Sequence, residues 1–398
     1  MYIKKVRQIK VEKKKYKVYF LSGKRGGFEA MSPLLNLLKN NKSIDFKIIA
    51  TDQHLMKNFG NTIYLVKKNF PKNLYQIPLG QLDSSAKSRM RSMSKLLKDL
   101  SFLFDKQLPD LLLIYGDRAE SFIATFVAIN FNIKVCHFQG GDLTGNIDER
   151  FRHSITKLSD YHFVSNIFSK KRILQLGEDK KNVYNFGDNH IDSLKKVKII
   201  NKTKLNKLFK NSLNDTYAVL LFHPDGTSIK KNQICIENII KSLEKLKIQI
   251  HCIYPCTDIG YDPIVKKLES VKKKNTLFKV YKNLEYSIFI NLIKKSKFLI
   301  GNSSCGIIES AYLKLPVINL GDRQSNRISS KNVINSKISI NSINSAVSKI
   351  NSKKFQNNLK TINYYYGDGK SYKKAYRKIL NILNKKTDFN KKFHEFKN

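Results

Sequence analysis

The sequence lacks any long apolar run. Its apolar stretches, such as LPDLLLIY and KFLIG, are far shorter than the roughly 20 residues that a membrane-spanning helix needs. The first residues, MYIKKVRQIKVEKKKYKVYF, also lack the hydrophobic core of a signal peptide. Both absences predict a chain that meets no membrane and acts in the cytoplasm.

Cysteine is scarce as well. The cysteines, Cys136, Cys235, Cys252, Cys256 and Cys305, form no CxxC pair. This spacing argues against a zinc site and against a disulfide scaffold. We therefore expect reduced thiols.

Acidic residues are few beside basic ones. The chain has 74 Lys and Arg against 31 Asp and Glu, a formal net charge of +43 at pH 7. Clustered cations would bind nucleic-acid phosphates. Here, however, Lys is spread along the chain among Asn and Ile, and no zinc finger, RNP aromatic motif or Arg-rich arm accompanies it. A nucleic-acid-binding alternative rests on charge alone, so no nucleic-acid partner is predicted and the charge is expected to coat a solvated surface.

Short apolar strands alternate with amphipathic helices along the chain. In the first half, the strands KYKVYFLSG, FKIIATD, LLLIYGD and KVCHFQGGD are separated by the helices MSPLLNLLKN, MSKLLKDLSFLF and AESFIATFVAIN. The pattern restarts after residues 182–196 with the strands AVLLFHPDG, KIQIHCIYPC, TLFKVYKN, KFLIGNSS and PVINLGD. The alternation predicts the α/β class with parallel sheets, and the restart predicts two doubly wound domains.

Polar loops follow the strands of the second half. In GNSSCGIIES, the hydroxyls of Ser303 and Ser304 at a helix start suit a diphosphate, and Glu309 suits the hydroxyls of a ribose. The alternative is an ordinary capped helix with a surface Glu. The loop after PVINL adds Arg323 and Arg327, whose guanidinium groups can pair with phosphate oxygens.

Chemically useful residues also follow strands elsewhere. The turn SGKRGGFEA carries Arg25, and IYGDRAES carries Asp117, which could instead cap a helix. The segment HFQGGDLTGNIDERFRHSITK gathers Asp142, Asp148 and other ionisable groups beside two glycines, an unusual composition for a core. His223, in LLFHPDGTS, ends the first strand of the second half. Ligands bind beyond the carboxyl ends of such strands, so these groups are expected to share a crevice between the domains.

These motifs, with FGDNHID and YPCTD, together resemble those of the hydrolysing UDP-N-acetylglucosamine 2-epimerases, a family that feeds sialic-acid-type sugar synthesis. The likeness runs from RGG at residue 25 to YGDGKS at residue 366. It implies a GT-B-like α/β architecture, with Rossmann-like domains over residues 1–187 and 188–366 and an interdomain cleft. It also implies that the helix of residues 367–398 packs back on the first domain, and that no metal and no nicotinamide cofactor is used.

The resemblance also implies residue roles. Asp117 and Asp148 match the acid/base carboxylates of the family, and His223 matches a cleft histidine that contacts the departing diphosphate. The UDP-binding residues implied in the same way are Arg25, Ser303, Ser304, Gly306, Glu309 and Arg323.

The chain departs from the family pattern at two places. Where the family has a second catalytic carboxylate, this chain has Gln139, which cannot accept a proton. Asp142 or Asp148 alone would then take that role, or the substrate differs. After Arg25, residues 26–30 read GGFEA, whereas many members have an acidic residue and a Lys there. Both changes point to the branch that acts on UDP-2,4-diacetamido-2,4,6-trideoxyglucose, on the legionaminic-acid route.

The implied reaction eliminates UDP from that sugar nucleotide, or from UDP-N-acetylglucosamine. Water then adds to the resulting glucal and releases the free manno-configured sugar. A GT-B glycosyltransferase that passes the sugar to an acceptor is the alternative, and a nucleotide-sugar sensor without activity is another. A homodimer or a homotetramer is expected.

Overall fold

The computed structural model of the chain describes residues 15–145, 147–225, 228–385 and 390–395. Residues 1–14, at the start of the predicted first domain, lie outside the described residues, as do residues 386–389 and 396–398 of the predicted last segment. Within the described ranges, no helix is both long enough and apolar enough to cross a membrane.

The first half of the chain forms a sheet flanked by helices. Its strands are β1 (Tyr16–Ser22), β2 (Ile44–Thr51), β3 (Leu74–Ile77), β4 (Leu111–Tyr115), β5 (Lys134–Phe138), β6 (Tyr161–Val164) and β7 (Val183–Asn185). The helices are α1 (Arg25–Lys39), α2 (Ile63–Asn69), α3 (Ala86–Lys106), α4 (Ala119–Asn130), α5 (Asp148–Leu158), α6 (Ile167–Gln175) and α7 (Asn189–Leu194). The strand order is β3-β2-β1-β4-β5-β6-β7, and all neighbouring strands pair in parallel.

The second half forms a six-stranded parallel sheet. Its strands are β8 (Tyr217–Leu221), β9 (Gln249–Ile253), β10 (Phe278–Tyr281), β11 (Leu299–Gly301), β12 (Val317–Leu320) and β13 (Val333–Ser336). The helices are α8 (Lys202–Leu208), α9 (Ile229–Glu244), α10 (Asp262–Lys274), α11 (Tyr286–Lys295), α12 (Cys305–Ile308), α13 (Ser310–Leu313), α14 (Ile340–Ile350), α15 (Lys353–Asn358) and α16 (Ser371–Leu383). The strand order is β10-β9-β8-β11-β12-β13.

These two sheets confirm the predicted α/β class with two doubly wound, Rossmann-like halves. Every strand segment predicted from the sequence is found. The strands β3, β6, β7 and β13 were not predicted, and they are short strands at or next to a sheet edge. The edge strands β3, β7 and β13 are only partly buried, so they lack the continuous apolar run by which a central parallel strand is recognised. The strand β6 is largely buried, but its four residues are at the lower length limit for a recognisable apolar run.

The core of the first sheet follows from the alternation of side chains along a strand. In β1, Val18 and Phe20 pack into the apolar cluster on the face covered by α1. Tyr19 and Leu21 point to the opposite face and join the cluster formed with α3 and α4. Both faces of the strand are therefore buried, as a central parallel strand requires.

Helix α16 joins the core of the first sheet. Ala375, Ile379 and Ile382 recur at helical spacing and pack in the same cluster as the residues of α1. The carboxylate of Asp192, in α7, accepts hydrogen bonds from the backbone N–H groups of Ser371 (2.9 Å) and Tyr372 (2.8 Å), which fixes the start of the helix.

The chain passes between the two halves at two adjacent points. A Cβ placed on Gly187 would lie 2.9 Å from the Cα of Gly367, so these two crossings touch. The boundaries predicted at 187/188 and 366/367 fall at this contact, and they stay a prediction.

Lys391 attaches the residues after α16 to the first sheet. Its ammonium group donates to the carbonyl oxygens of Thr156 (3.1 Å), Lys157 (2.8 Å) and Ser159 (2.6 Å) at the end of α5. It also lies 2.6 Å from the carboxylate of Glu178. A cation at this end of a helix satisfies free carbonyls and interacts favourably with the helix dipole.

Lys391→Met is expected to lower the free energy of unfolding by about 1–3 kcal/mol, because it leaves Glu178 and three carbonyls without this partner. Urea unfolding followed by circular dichroism measures the change. The matched control is Lys392→Met at the exposed neighbouring position, which should change stability by less than about 0.5 kcal/mol. If both variants lowered the free energy of unfolding equally, Lys391 would not be the residue that anchors this segment to the first sheet.

Candidate active site

A cavity of about 200 Å³ lies between the two sheets. Loops after β1, β4 and β5 of the first sheet line it from one side, and loops after β8, β9, β11 and β12 of the second sheet line it from the other. In each sheet, the strand order reverses beside the first strand, between β1 and β4 and between β8 and β11. Loops diverge at such switch points, so the topology itself creates this cavity.

Asp117 follows β4 and lines the cavity. It forms an ion pair with Arg152, whose side chain is completely buried. The guanidinium of Arg152 also donates to the carbonyl oxygen of Asp142 (2.7 Å) and to Oγ1 of Thr144 (3.2 Å). A buried cation held by several acceptors fixes the position of the Asp117 carboxylate.

Asp148 is the first residue of α5 and lies on the same cavity. Burial raises the pKa of its carboxyl group, and the negative charge of Asp258 raises it further. The guanidinium of Arg323, 3.6 Å away, acts in the opposite direction. Asp148 therefore keeps its proton to a higher pH than an ordinary aspartate does.

His223 follows β8 and faces the cavity, as predicted. Its Nδ1 accepts a hydrogen bond from the backbone N–H of Cys256 (3.0 Å), so the proton of the neutral ring lies on Nε2. Burial lowers the pKa of His223 well below its ordinary value, and the charge of Arg323 adds to this effect. The ring is thus neutral at physiological pH and can donate a hydrogen bond from Nε2.

Gln139 and Asp142 have different surroundings. Gln139 lines the cavity with a backbone φ of +64°, and its Nε2 donates to Oδ2 of Asp188 (2.6 Å). Asp142 is not among the cavity-lining residues, and its buried carboxylate accepts hydrogen bonds from Asn166 (3.1 Å) and Ser169. These contacts hold the loop before α5 against α6. A direct role of Asp142 in proton transfer stays a prediction.

Glu309 is buried and lines the second-domain side of the cavity together with Ser303 and Ser304. Its Oε1 accepts a hydrogen bond from the hydroxyl of Tyr286 (3.3 Å), and no described residue donates to its Oε2. Burial raises the pKa of this carboxyl group. A buried acceptor without a partner is rare, and a hydroxyl group of a ligand would satisfy it.

The loop around Glu309 differs from the single helix that the sequence suggested. It forms two one-turn helices, α12 and α13, that meet at Glu309. The N–H of Gly306 donates to the carbonyl oxygen of Ser303 (3.0 Å), and a Cβ at Gly306 would lie 3.1 Å from Cγ1 of Val317. Gly306 is not among the cavity-lining residues. It permits close packing on β12, and its contact with a nucleotide stays a prediction.

Arginine side chains bring positive charge to the cavity. Arg323 donates to the carbonyl oxygen of Asn302 (3.1 Å), and Arg25 donates across the cleft to the side chain of Asn283. The Nε of Arg323, and the Nε and one terminal nitrogen of Arg327, have no hydrogen-bond partner among the described residues. Free guanidinium donors in a cleft suit the oxygen atoms of a phosphate.

Sequence reasoning missed Asp258, which connects the two domains. The guanidinium of Arg118 donates to Asp258 (2.7 Å) and Thr257 (3.0 Å) of the second domain, and to Asp52 (2.8 Å) of the first. Sequence reasoning also missed His190, which lines the cavity after β7. The motifs YPCTD and FGDNHID were visible signals, because each places an ionisable residue beyond a strand end.

Within the described ranges, no group of three His, Cys, Asp or Glu side chains is arranged to hold a metal ion.

Two parallel Rossmann-like sheets with a polar cleft at their carboxyl ends define a GT-B-like two-domain protein. Residues 36–383 match the family model described as UDP-N-acetylglucosamine 2-epimerase, and the chain belongs to this family. The resemblance drawn from the sequence motifs is thereby confirmed.

Individual relatives agree with this assignment. The chain is 34% identical over 348 residues, 86% of this chain and 90% of the relative, to a Campylobacter jejuni protein named GDP/UDP-N,N'-diacetylbacillosamine 2-epimerase (hydrolyzing). It is 29% identical over 369 residues, 92% of this chain and 96% of the relative, to the UDP-N,N'-diacetylbacillosamine 2-epimerase (hydrolyzing) of Legionella pneumophila. The fold matches the UDP-GlcNAc 2-epimerase of Neisseria meningitidis bound to UDP-GlcNAc, with a TM-score of 0.75, 20% identity, and 92% and 100% of the two chains covered.

Proposed function

We propose that the protein is a hydrolysing 2-epimerase. It eliminates UDP from a UDP-2-acetamido sugar and hydrates the resulting glucal to the free manno-configured sugar. The observation that carries the proposal is the composition of one cavity: Asp117 and Asp148 lie on its first-domain side, and Ser303, Ser304 and Glu309 lie on its second-domain side. Acid/base groups and a nucleotide-type site thus meet where a sugar nucleotide would span the cleft.

In the elimination step, a carboxylate removes the proton from C2 of the sugar while the bond between C1 and the diphosphate oxygen breaks. We assign the base to Asp117, since the buried cation of Arg152 holds its carboxylate in place. The departing diphosphate gains negative charge, and we assign its stabilisation to Arg323 and to the Nε2–H of His223, which both line the cavity. No metal ion takes part in this scheme.

In the hydration step, water adds to C1 and a proton is delivered to C2 from the face opposite to the one that lost it. We assign the acid to Asp148, because its raised pKa favours the protonated form. Two carboxyl groups in different surroundings can thereby perform opposite proton transfers, and the configuration at C2 is inverted.

The sugar of the preferred substrate is proposed to be 2,4-diacetamido-2,4,6-trideoxyglucose, with UDP-N-acetylglucosamine as the other candidate. Support comes from the names of two relatives. The Legionella protein is named a UDP-N,N'-diacetylbacillosamine 2-epimerase and the Campylobacter protein a GDP/UDP-N,N'-diacetylbacillosamine 2-epimerase, and N,N'-diacetylbacillosamine is a sugar of this type. The same names favour an epimerase over a glycosyltransferase. A glycosyltransferase would also need an acceptor, whereas the proposed reaction needs only water.

The test is incubation of the protein with each UDP-sugar in D₂O, followed by NMR of the products. The expected product is a free manno-configured sugar that carries deuterium at C2, because the proton added to the glucal comes from solvent. Release of UDP with an unlabelled, uninverted sugar would contradict elimination followed by hydration. Sugar transfer that requires an added acceptor would favour the glycosyltransferase.

Glu309→Gln is expected to weaken UDP binding about tenfold or more, since it removes the charge that accepts the ribose hydroxyls. Isothermal titration calorimetry measures the affinity. The matched control is Glu285→Gln, an exposed carboxylate beside Tyr286 that should leave UDP affinity unchanged. If Glu309→Gln binds UDP as tightly as the unaltered protein, the ribose site lies elsewhere.

We further propose that the protein acts in the cytoplasm as a homodimer or a homotetramer. The five cysteines are free and buried, which suits a reducing compartment. Exposed Met90 of α3 and exposed Ile147 line one largely apolar surface cavity with Phe122 of α4. Exposed apolar surface of this kind marks protein interfaces. Light scattering that gives a monomeric mass at micromolar concentration would contradict the assembly.

A further inference from the structure

His190 lines the cavity between the part that holds Glu309 and the part that holds Asp117. On one side, the hydroxyl of Tyr286 reaches both the carbonyl oxygen of His190 (3.5 Å) and the carboxylate of Glu309 (3.3 Å), the proposed ribose site. On the other side, the hydroxyl of Tyr115 lies 2.8 Å from Nδ1 of His190, and Tyr115 is the last residue of the strand that leads to Asp117. In a UDP-sugar, the diphosphate is the part that lies between the ribose and the reacting sugar.

Asp188 orients the ring of His190. The carboxylate of Asp188 accepts hydrogen bonds from the backbone N–H of His190 (2.8 Å) and from its Nδ1 (2.9 Å). A carboxylate can only accept, so Nδ1 carries a proton and Nε2 is the nitrogen available to a ligand. The described residues provide no hydrogen-bond partner for Nε2, and the ring lines the cavity.

The charges around His190 favour its protonated form. Burial by itself would lower the pKa of His190, but the negative charges of Glu309 and Asp188 raise it above its ordinary value, and the positive charge of Lys24 only partly opposes them. Tyr115 and Tyr286 also face the ring, and burial raises the pKa of each phenol well above 10, so both stay neutral. The pKa values of the two cavity histidines are thus shifted in opposite directions, upward for His190 and downward for His223.

Gln139 allows Asp188 to hold His190. Its amide Nε2 donates to Oδ2 of Asp188 (2.6 Å), and the hydroxyl of Ser165 donates to the same oxygen (2.7 Å). A glutamate at position 139 would place a second carboxylate against Asp188, and like charges at this distance repel. The neutral amide of Gln139 therefore helps to hold the Asp188 carboxylate that orients His190.

We propose that the imidazolium of His190, held by Asp188 and Gln139, is a further substrate-binding group that donates a charge-assisted hydrogen bond to the diphosphate of the nucleotide sugar. The assignment rests on the proposed function only for the nature of the ligand, a nucleoside diphosphate sugar. Charge-assisted hydrogen bonds to phosphate are about twice as strong as neutral ones, so the bond also stabilises UDP as it departs.

The test measures UDP affinity by calorimetry from pH 7 to pH 9, where the terminal phosphate of UDP is already ionised. The unaltered protein should bind UDP more weakly as the pH rises through the pKa of His190, because only the imidazolium can donate with a charge. His190→Gln should bind UDP about tenfold or more weakly at pH 7 and should lose this pH dependence. The control His153→Gln, at a partly exposed histidine outside the cavity lining, should keep both affinity and pH dependence.

A second measurement needs no variant. Calorimetry of the unaltered protein in buffers of different ionisation enthalpy counts the protons taken up as UDP binds. Uptake is expected on the alkaline side of the pKa of His190, because the bound diphosphate favours the imidazolium. Gln139→Glu should reduce both the proton uptake and the UDP affinity.

The absence of proton uptake, or a His190→Gln variant that binds UDP as the unaltered protein does, would overturn the proposal. Neither result depends on turnover, so a failure of the epimerase assignment would be seen separately in the product NMR.

Discussion

Asp148→Asn is expected to lower kcat about 10²-fold or more while the protein still binds UDP. Asparagine keeps the size of the side chain but cannot deliver a proton to C2. The raised pKa of Asp148 is the reason to assign it the acid role, and Asp117→Asn should cause a comparable loss by removing the base. Release of free sugar, followed by NMR, measures kcat, and calorimetry measures UDP affinity. Near-normal turnover in either variant would contradict its assignment.

Asp142→Asn separates two explanations of Gln139. If Asp142 replaces the carboxylate that Gln139 does not provide, this variant should lose as much kcat as Asp148→Asn. The structure instead surrounds Asp142 with Asn166 and Ser169 and leaves it out of the cavity lining. We therefore expect the variant to lose mainly stability, seen in urea unfolding, and to keep most of its kcat.

Gly301→Ala is expected to destabilise the second domain by at least about 3 kcal/mol. Gly301 ends β11 with a backbone φ of +143°, which side chains rarely allow, and a Cβ there would lie 1.9 Å from the carbonyl oxygen of Leu221 in β8. The two strands would have to separate at the switch point. The loop that carries Ser303 and Ser304 would move with them, so UDP affinity should fall as well.

The control for this variant is Gly26→Ala, in the first turn of α1. A Cβ at Gly26 meets nothing within 4 Å, and its backbone is helical. Alanine in a helix is favoured over glycine by about 1 kcal/mol, so this variant should be as stable as the unaltered protein or more stable. Urea unfolding compares the two. A Gly301→Ala protein with unchanged stability would mean that the two strands can relax around a side chain at no cost.

Local sequence determined most of the fold. The helix AESFIATFVAIN was predicted over residues 119–130 and is found as Ala119–Asn130, because a continuous helical pattern is bounded there by turn residues. Central strands such as β1 and β8 were equally recognisable as buried apolar runs. The topology rule for parallel sheets then placed Asp117, His223 and Ser303 on one cleft, because the carboxyl ends of the strands meet there.

Contacts between distant segments could not be predicted from local sequence patterns. Gln139 and Asp188 lie 49 positions apart, and Arg118 and Asp258 lie 140 positions apart. No local pattern encodes such pairs, because each depends on how two loops meet after both sheets have formed. For the same reason, Gly306 and Asp142 were grouped with the site from their sequence motifs, although neither is among the residues that line the cavity.

The sequence by itself determined the two parallel sheets, the family and the strand ends whose polar side chains face the cleft, because strand and helix periodicity and strand-end motifs are local properties. Only the tertiary structure decided which of these groups lie together. It paired Asp117 with Arg152, set the surroundings that raise the pKa of Asp148, and placed His190 between Asp188 and Glu309. Burial and the charges of neighbouring groups control the protonation of a side chain, and both are properties of the folded cavity.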